Sequence, residues 1–193
     1  GRKRPFMKTF YESQRRRLDI LMAGDSPWGG KFSYDTENRR KLPKGYELPE
    51  VYRYPVDQTD KDVMSLVESR FADHPGRADD YWIPTTRTAA LVQFEDFLSH
   101  RMEGFGPYQD AICAKEGFLH HSLVSPALNL GLVTPDEIVS LTVERFEQDD
   151  LPIESVEGFI RQIIGWREFV RGIYQNYSEK MDRENYWGAE RQL

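Results

Sequence analysis

The segment from His121 to Gly131 carries residue types that could bind an anion. It reads His-Ser-Leu-Val-Ser-Pro-Ala-Leu-Asn-Leu-Gly and places Ser125 directly before Pro126. Serine before proline is typical of a helix start, with the serine as N-cap and the proline in the first turn. Backbone N–H groups and the positive end of the helix dipole attract anions at such a start. The pattern therefore fits either a simple helix cap or, with the Ser122 and Ser125 hydroxyls, a phosphate site.

A second candidate lies in the sequence Arg-Gln-Ile-Ile-Gly-Trp-Arg-Glu-Phe at 161–169. Gln162 and Trp166 are four residues apart, a spacing that places both on one face of a helix. An amide beside an indole suits a flat heteroaromatic partner. The alternative is a core tryptophan flanked by the solvated side chains of Arg167 and Glu168.

The histidines and the cysteine are weaker candidates for chemistry. His120 and His121 are adjacent, so their side chains point in different directions, and no carboxylate stands at metal-ligand spacing. Cys113 is the single cysteine of the chain, which excludes a disulfide framework or a multi-thiolate metal site. We predict no metal site, an inert Cys113 packed in a helix, and a reducing, cytoplasmic location.

Hydrophobic periodicity predicts an all-helical body in which these residues are held. Residues 23–58 lack convincing periodicity and contain several prolines and glycines, which is typical of a long irregular connection. Thr86, Thr134 and Ser155 are expected to begin three of the helices, with a capping box from Thr134 to Glu137. The predicted helices span 6–22, 60–71, 85–103, 107–114, 126–131, 135–148 and 155–177.

Charge is distributed unevenly along the 193 residues, whose formal net charge is -6. Residues 1–45 carry 12 basic and 5 acidic side chains, whereas the remainder carries 14 basic and 27 acidic ones. The basic first part is the candidate for contact with a polyanion. For the run Arg15 to Arg17, a solvated helix face is an equal alternative. The 25 Phe, Trp and Tyr residues exclude a disordered chain, and no apolar run is long enough to cross a membrane.

Five segments together resemble the deoxyribodipyrimidine photolyase-related branch of the photolyase/cryptochrome superfamily, which holds the iron–sulfur bacterial cryptochromes and prokaryotic (6-4) photolyases. They are FYESQRRRLDILM, GGKFSYDTENRRKLP, GFGPYQDAI, HHSLVSPALNLGL and EGFIRQIIGWREFVRGIY. The resemblance implies an antenna domain, an interdomain linker and a helical FAD-binding domain. We therefore expect 1–58 to hold the end of the antenna domain and the linker. We expect 59–193 to form the N-terminal half of an all-α helical bundle that binds FAD, so that the chain is a fragment.

The resemblance also implies roles for individual residues. Tyr108, Ser122, Val124 and Ser125 fall in the FAD pocket, with Val124 replacing the usual leucine and His121 the usual threonine. Gln162 and Trp166 border the cleft where flavin and a flipped lesion meet. Four basic residues are expected along DNA: Arg39, Arg40, Lys41 and Lys44. A [4Fe-4S] cluster and a ribityllumazine-type antenna chromophore belong to full-length members, with cluster cysteines and active-site residues beyond Leu193.

The function implied is light-driven repair of damaged DNA, most closely of (6-4) photoproducts, by electron transfer from excited reduced FAD. A cryptochrome-type photoreceptor with the same flavin pocket is one alternative, and a helical interaction unit without a ligand is another. We expect the chain alone to be flavin-free or to bind flavin weakly, to lack activity and to self-associate, because apolar faces would be exposed.

Overall fold

The computed structural model describes residues 4–185, 187–188 and 190–191. The fold of these residues is all-α, as predicted, and their sheet consists of the two-residue strands β1 (Met22–Ala23) and β2 (Ser26–Pro27), paired antiparallel with Met22 opposite Pro27. The helices are α1 (Met7–Leu18), α2 (Gln58–Arg70), α3 (Arg87–His100), α4 (Met102–Tyr108), α5 (Ser125–Leu130), α6 (Pro135–Gln148), α7 (Ile153–Ile160) and α8 (Glu168–Arg183), with a π-helical segment (Arg161–Arg167) between α7 and α8.

Two helix starts are set by local capping and agree with the sequence prediction. The Thr134 hydroxyl accepts from the backbone N–H of Glu137, whose carboxylate in turn accepts from the backbone N–H of Thr134. The Thr86 hydroxyl accepts from the backbone N–H of Ala89 at the start of α3. Each motif is complete within four residues, so the sequence alone is sufficient to specify it.

The prediction of one regular helix from Ser155 to residue 177 is wrong in its start and in its interior. Helix α7 begins at Ile153. Ser155 is fully buried, and its hydroxyl accepts from the backbone N–H of Gly106 and donates to the carbonyl of Glu103, both at 2.8 Å. Its role is therefore to join α7 to α4, and the helical run continues through the π-helical segment to Arg183.

The predicted helix at 107–114 is also wrong, because α4 ends at Tyr108 and residues 111–124 are irregular. Further along this loop, Leu119 and Leu123 have positive φ angles of 47° and 58°, a conformation that a right-handed helix does not contain. Cys113 lies here half-buried, not inside a helix. Helix α1 likewise ends at Leu18, before the predicted residue 22, because Asp19 adopts the left-handed conformation.

An aromatic cluster occupies the centre of the core. Phe159 of α7 contacts Phe94 and Phe97 of α3 and Phe105 of α4, with ring centroids 5.1 to 5.8 Å apart. Helices α4 and α7 cross closely at Gly106, where an added Cβ would lie 2.7 Å from the backbone nitrogen of Ser155. The glycine is therefore required for this crossing.

A buried ionic network attaches α1 and the connection after β2 to this core. Glu157 is fully buried and accepts from the Tyr11 hydroxyl at 2.8 Å, from the backbone N–H of Tyr34 at 2.8 Å and from Arg161 Nε at 3.0 Å. Arg161 also pairs with Asp35 at 3.1 Å. Burial, followed by the charge of Glu157, raises the pKa of Tyr11 well above its ordinary value, so the hydroxyl remains a donor.

Arg15 shows that the basic run is not simply a solvated face. Its side chain is fully buried, and its guanidinium donates to the backbone carbonyls of Ile20, Leu21 and Phe32. Arg16 instead lies 4.3 Å above the ring of Phe32, exposed at the surface. The charge pattern could not distinguish these neighbours, because their environments are set by a turn and a loop that close over only one of them.

Within the described part of the chain, no helix combines the length and apolar character needed to cross a membrane.

Candidate functional site

An open groove of about 530 Å³ lies between α4, α5, α7 and the irregular segment that precedes α5. Its floor is apolar and includes Phe105, Phe159 and Ile163, all of them buried. Polar groups at its edges include Ser122, Ser125 and Gln162. An apolar floor with a few polar groups is the usual composition of a site for an organic cofactor or ligand.

The serine edge of the groove is shaped by the turn at Leu123, where φ is 58°. The Ser122 hydroxyl accepts from the backbone N–H of Val124 at 3.4 Å, and Val124 itself is 4% exposed. Helix α5 begins at Ser125, and Val124 is its N-cap residue, without a side-chain hydrogen bond. The prediction that Ser125 serves as the N-cap is therefore wrong by one position, because Val124 already has helical φ and ψ angles of -78° and -11°.

Gln162 forms the opposite edge of the groove, within the π-helical segment. Its side chain is half-buried, and its amide nitrogen has a long contact of 3.5 Å to the carbonyl of Gly158. The structure therefore places Gln162 in the same groove as Ser122, Val124 and Ser125, although about 40 residues separate them in sequence. Single π turns interrupt α-helices frequently at functional sites.

Trp166 is not among the residues that line this groove. It is 44% exposed and packs edge-on against Phe169, with ring centroids 6.2 Å apart, and Phe169 in turn contacts Phe10 of α1. The four-residue spacing of Gln162 and Trp166 therefore does not bring Trp166 into the groove that Gln162 lines.

The outer lip of the groove is aromatic and was not recognised from the sequence. Trp82 and Phe118 line the groove with ring centroids 5.5 Å apart, and the Arg53 guanidinium lies 4.7 Å from the centre of the Trp82 ring. Phe118 is 38% exposed. The sequence did contain a signal for this lip, because Trp82 and Phe118 are large aromatic residues within polar, irregular segments. Such residues usually contact a partner outside their own loop.

Tyr108 lies beside the groove, not in its lining. Its ring stacks on His120 with centroids 5.7 Å apart, and it contacts the edge of Tyr46 at 5.0 Å. The next residue, Gln109, does line the groove, and its side-chain amide is hydrogen-bonded to that of Asn38 at 2.8 Å. Burial lowers the pKa of His121, also at the groove, so this imidazole is neutral near pH 7.

The four predicted DNA-contacting residues lie on the connection between β2 and α2, and all four are exposed. Arg39 forms ion pairs with Asp35 and, at 3.8 Å, with Asp110. The backbone N–H of Arg40 donates to the carbonyl of Pro107, which fixes this part of the connection against the end of α4. Arg40, Lys41 and Lys44 therefore present their charges on a segment anchored near the groove.

The groove fits a flat aromatic cofactor better than a metal. Its rings and aliphatic side chains match a heteroaromatic ring system, and its hydroxyl and amide groups match phosphate oxygens and ring carbonyls. Among residues 4–185, 187–188 and 190–191, no group of three His, Cys, Asp or Glu side chains is arranged to hold a metal ion. The single cysteine also does not fit a [4Fe-4S] cluster, which requires four thiolates.

Comparison with known proteins shows which proteins this chain is similar to. Residues 1–82 match the model of a family described as deoxyribodipyrimidine photo-lyase-related protein. Over its whole length the chain is 34% identical to a (6-4) photolyase of Agrobacterium fabrum, and it spans 38% of the length of that relative. These similarities confirm the resemblance of the chain to the deoxyribodipyrimidine photo-lyase-related family.

Shorter similarities connect the chain to viral proteins. An uncharacterized protein of Acanthamoeba polyphaga mimivirus is 36% identical over 87 residues, which cover 45% of this chain and 66% of the viral protein. A second uncharacterized mimivirus protein is 49% identical over 41 residues, or 21% of each chain.

Proposed function

We propose that the chain forms part of a light-driven DNA repair lyase that uses FAD and acts on (6-4) photoproducts. The observation that carries this proposal is the 34% identity to a (6-4) photolyase along the entire chain. The groove between α4, α5 and α7 supports it, because its floor and edges suit a flavin. Reduced FAD, if bound in the groove, would supply an electron to the lesion on excitation by light.

The residues of the groove would bind and orient the cofactor. The hydroxyls of Ser122 and Ser125 would donate hydrogen bonds to phosphate oxygens, which are strong acceptors because they are charged. Phe105 and Phe159 would cover the apolar ring and exclude water from it. Val124 fixes the turn that aims the two serines, and Tyr108 supports the loop behind them.

Gln162 would provide the polar contact on the opposite edge. Its amide has only a long contact to Gly158 within the protein, so hydrogen-bonding capacity remains for a flavin carbonyl or a pyrimidine carbonyl. Trp166 lies outside the groove lining, and we propose that its exposed side chain contacts a bound lesion. A lesion flipped out of the duplex loses less stacking energy than an intact base, which favours its extrusion.

The exposed basic residues of the connection would contact the DNA backbone. Arg40, Lys41 and Lys44 are the main candidates, whereas the two carboxylates beside Arg39 reduce its contribution. Such contacts position the duplex without reading its sequence. We place neither the [4Fe-4S] cluster nor the antenna chromophore of the family on this chain, and we propose a cytoplasmic location.

The DNA contact can be tested by reversing three charges. Replacing Arg40, Lys41 and Lys44 with Glu should weaken binding to a duplex that contains a (6-4) photoproduct. The slope of log affinity against log salt concentration should fall by about 0.9 for each phosphate that is no longer neutralised. Replacing Arg171, Lys180 and Arg183 on α8 with Glu makes the same change in net charge and is the matched control.

An unchanged salt slope in the first variant would remove these residues from the interface. Equal reductions in affinity for the two variants would show that the change in net charge alone causes the effect. In a longer protein that contains this chain and spans the length of the photolyase relative, intact flavin and DNA binding without repair under blue light would favour the photoreceptor alternative.

A further inference from the structure

A chain of hydrogen bonds connects the groove residue Gln109 to the buried charge of Arg161. Asn38 lies between them and is 1% exposed. One amide atom of Asn38 lies 3.1 Å from Nη2 of Arg161 and 2.8 Å from the side-chain amide of Gln109. Its other amide atom lies 2.9 Å from the backbone carbonyl oxygen of Tyr34. Gln109 is therefore joined through a single side chain to the ionic network around Glu157.

The chemistry of these partners fixes the orientation of both amides. A guanidinium can only donate, so the Asn38 atom beside Arg161 is the oxygen Oδ1. A carbonyl can only accept, so the Asn38 atom beside Tyr34 is the nitrogen Nδ2. Because Oδ1 cannot donate, the Gln109 atom that faces it at 2.8 Å is Nε2. The charge of Arg161 thus sets the direction of the bond between the two amides.

Close packing keeps the two amides in contact. The backbone N–H of Asp110 donates to the carbonyl of Asn38 at 3.3 Å, which pairs the two chain segments that carry the amides. A Cβ added to Gly158 of α7 would lie 2.7 Å from the amide of Asn38 and 3.3 Å from that of Gln109. Helix α7 therefore leaves room for the amide pair only because residue 158 has no side chain.

We propose that Gln109 is a specificity-determining residue of the groove, in which its Oε1 is a fixed hydrogen-bond acceptor. Nε2 is held by Asn38, and within the described part of the chain the amide of Gln109 has no other hydrogen-bond partner. Gln109 is half-buried and lines the groove, so a ligand can reach the remaining oxygen. The site therefore favours a flat ring that offers an N–H group at this place.

The fixed orientation distinguishes Gln109 from an ordinary glutamine. A free amide can rotate and offer either its NH2 group or its oxygen to a ligand. Rotation of Gln109 would place its oxygen against Oδ1 of Asn38, two acceptors without a hydrogen between them. The inference rests on the proposed function for the natural ligand, FAD, which carries N–H donors on both of its ring systems. These donors are the imide of the isoalloxazine and the exocyclic amine of the adenine.

The orientation is tested without a ligand, by NMR measurement of side-chain hydrogen exchange in the chain labelled with isotopic glutamine. The Nε2 hydrogens of Gln109, assigned by their loss in Gln109→Ala, should exchange about tenfold or more slowly than those of the exposed Gln175. Asn38→Asp keeps an acceptor for Arg161 and Gln109 and should preserve this protection. Asn38→Leu should abolish it. Exchange of the Gln109 amide as fast as that of Gln175 in the unmodified chain would overturn the proposal.

The selectivity is tested with two pairs of probes, each pair differing in one donor. Riboflavin is compared with N3-methylriboflavin, which lacks the imide hydrogen, and adenosine with purine riboside, which lacks the exocyclic amine. For one pair, loss of the donor should weaken binding to the unmodified chain by about tenfold, because the Gln109 oxygen is left unpaired. Gln109→Ala removes the acceptor and leaves room for a methyl group, so the ratio of affinities should approach one. Gln175→Ala on α8 is the matched control and should keep the ratio.

The pair of probes that shows the tenfold ratio identifies which ring of FAD faces Gln109. A ratio near one for both pairs in the unmodified chain, or a ratio that persists in Gln109→Ala, would overturn the selectivity. The absence of binding by all of the probes would contradict the proposed flavin site instead. In that case the exchange measurement alone decides whether Gln109 is a fixed acceptor.

Discussion

The π-helical segment and the end of α7 have two sides that differ in how their polar side chains are paired. On the side of α1, Glu157 and Arg161 are almost completely buried and each has close partners at 2.8 to 3.1 Å. On the groove side, Gln162 is half-buried and has one long contact of 3.5 Å. The first side has satisfied its polar groups within the protein, and the second keeps hydrogen-bonding capacity for a ligand.

This difference separates residues that hold the fold from residues that can bind a ligand. A buried carboxylate is tolerated only with a full set of partners. A polar group at a groove can remain incompletely paired within the protein because solvent or a ligand provides the rest. The ionic side should therefore respond to substitution with a loss of stability, and the groove side with a loss of binding.

The largest expected effect is on the ionic side. Glu157→Gln removes the charge that faces Arg161 and should reduce the free energy of unfolding by about 3–5 kcal/mol, because it leaves a buried cation poorly compensated. Urea denaturation gives this value. Glu147→Gln, at an exposed position on α6, is the matched control and should change it by less than about 0.5 kcal/mol. Similar reductions in both variants would contradict the structural role of the network.

The crossing of α4 and α7 provides a second, smaller effect. Gly106→Ala should destabilise the chain by about 1–3 kcal/mol, because the new methyl group would overlap the backbone of Ser155. Gly172→Ala on α8 has open space around the added Cβ and should stabilise the chain by about 0.4–1 kcal/mol. Melting temperatures that move in opposite directions confirm the crossing, whereas a common direction would contradict it.

The smallest expected effect on stability comes from the surface ion pair of Arg87 and Glu137, and this effect depends on pH. The bonds from Arg87 and then those from Thr134 lower the pKa of Glu137 from its ordinary value of 4.5 to about 2. A carboxylate with a lower pKa in the folded state stabilises fully above pH 4.5, and this contribution is lost as the pH falls from 4.5 towards 2. Glu137→Gln should flatten the fall in melting temperature across this window. The same pH profile in both proteins would refute the assignment.

Prediction from sequence succeeded where the determinants are local. The Thr134 and Thr86 helix starts each depend on a few consecutive residues, and both were found. Ser155 has a similar hydroxyl side chain but binds α4 across the core, so its position in sequence gave the wrong helix start. The burial of Arg15 and the π-helical segment likewise depend on tertiary packing, which neither charge nor periodicity encodes.

The same distinction between local sequence and tertiary packing applies to the residues of the candidate site. The serine segment at 122–125 and Gln162 were selected from sequence, and the structure places them at one groove, although their role in binding remains a prediction. Trp82 and Phe118 were missed because their proximity arises from two irregular segments. Glu157 carried a recognisable signal, since it places a carboxylate between Val156 and Gly158 in an apolar part of the chain.

The central claim, that the groove binds a flavin through its serine edge, is tested most directly by titrating the chain with FAD and measuring quenching of flavin fluorescence. We predict saturable, weak binding that falls about tenfold or more when Ser122 and Ser125 are both changed to Ala, because hydrogen bonds to charged groups each contribute about 1.5–3 kcal/mol. The paired control, Ser99→Ala with Ser140→Ala, changes two exposed serines elsewhere and should leave binding unchanged. The absence of saturable binding, or equal binding by both double variants, would contradict the account.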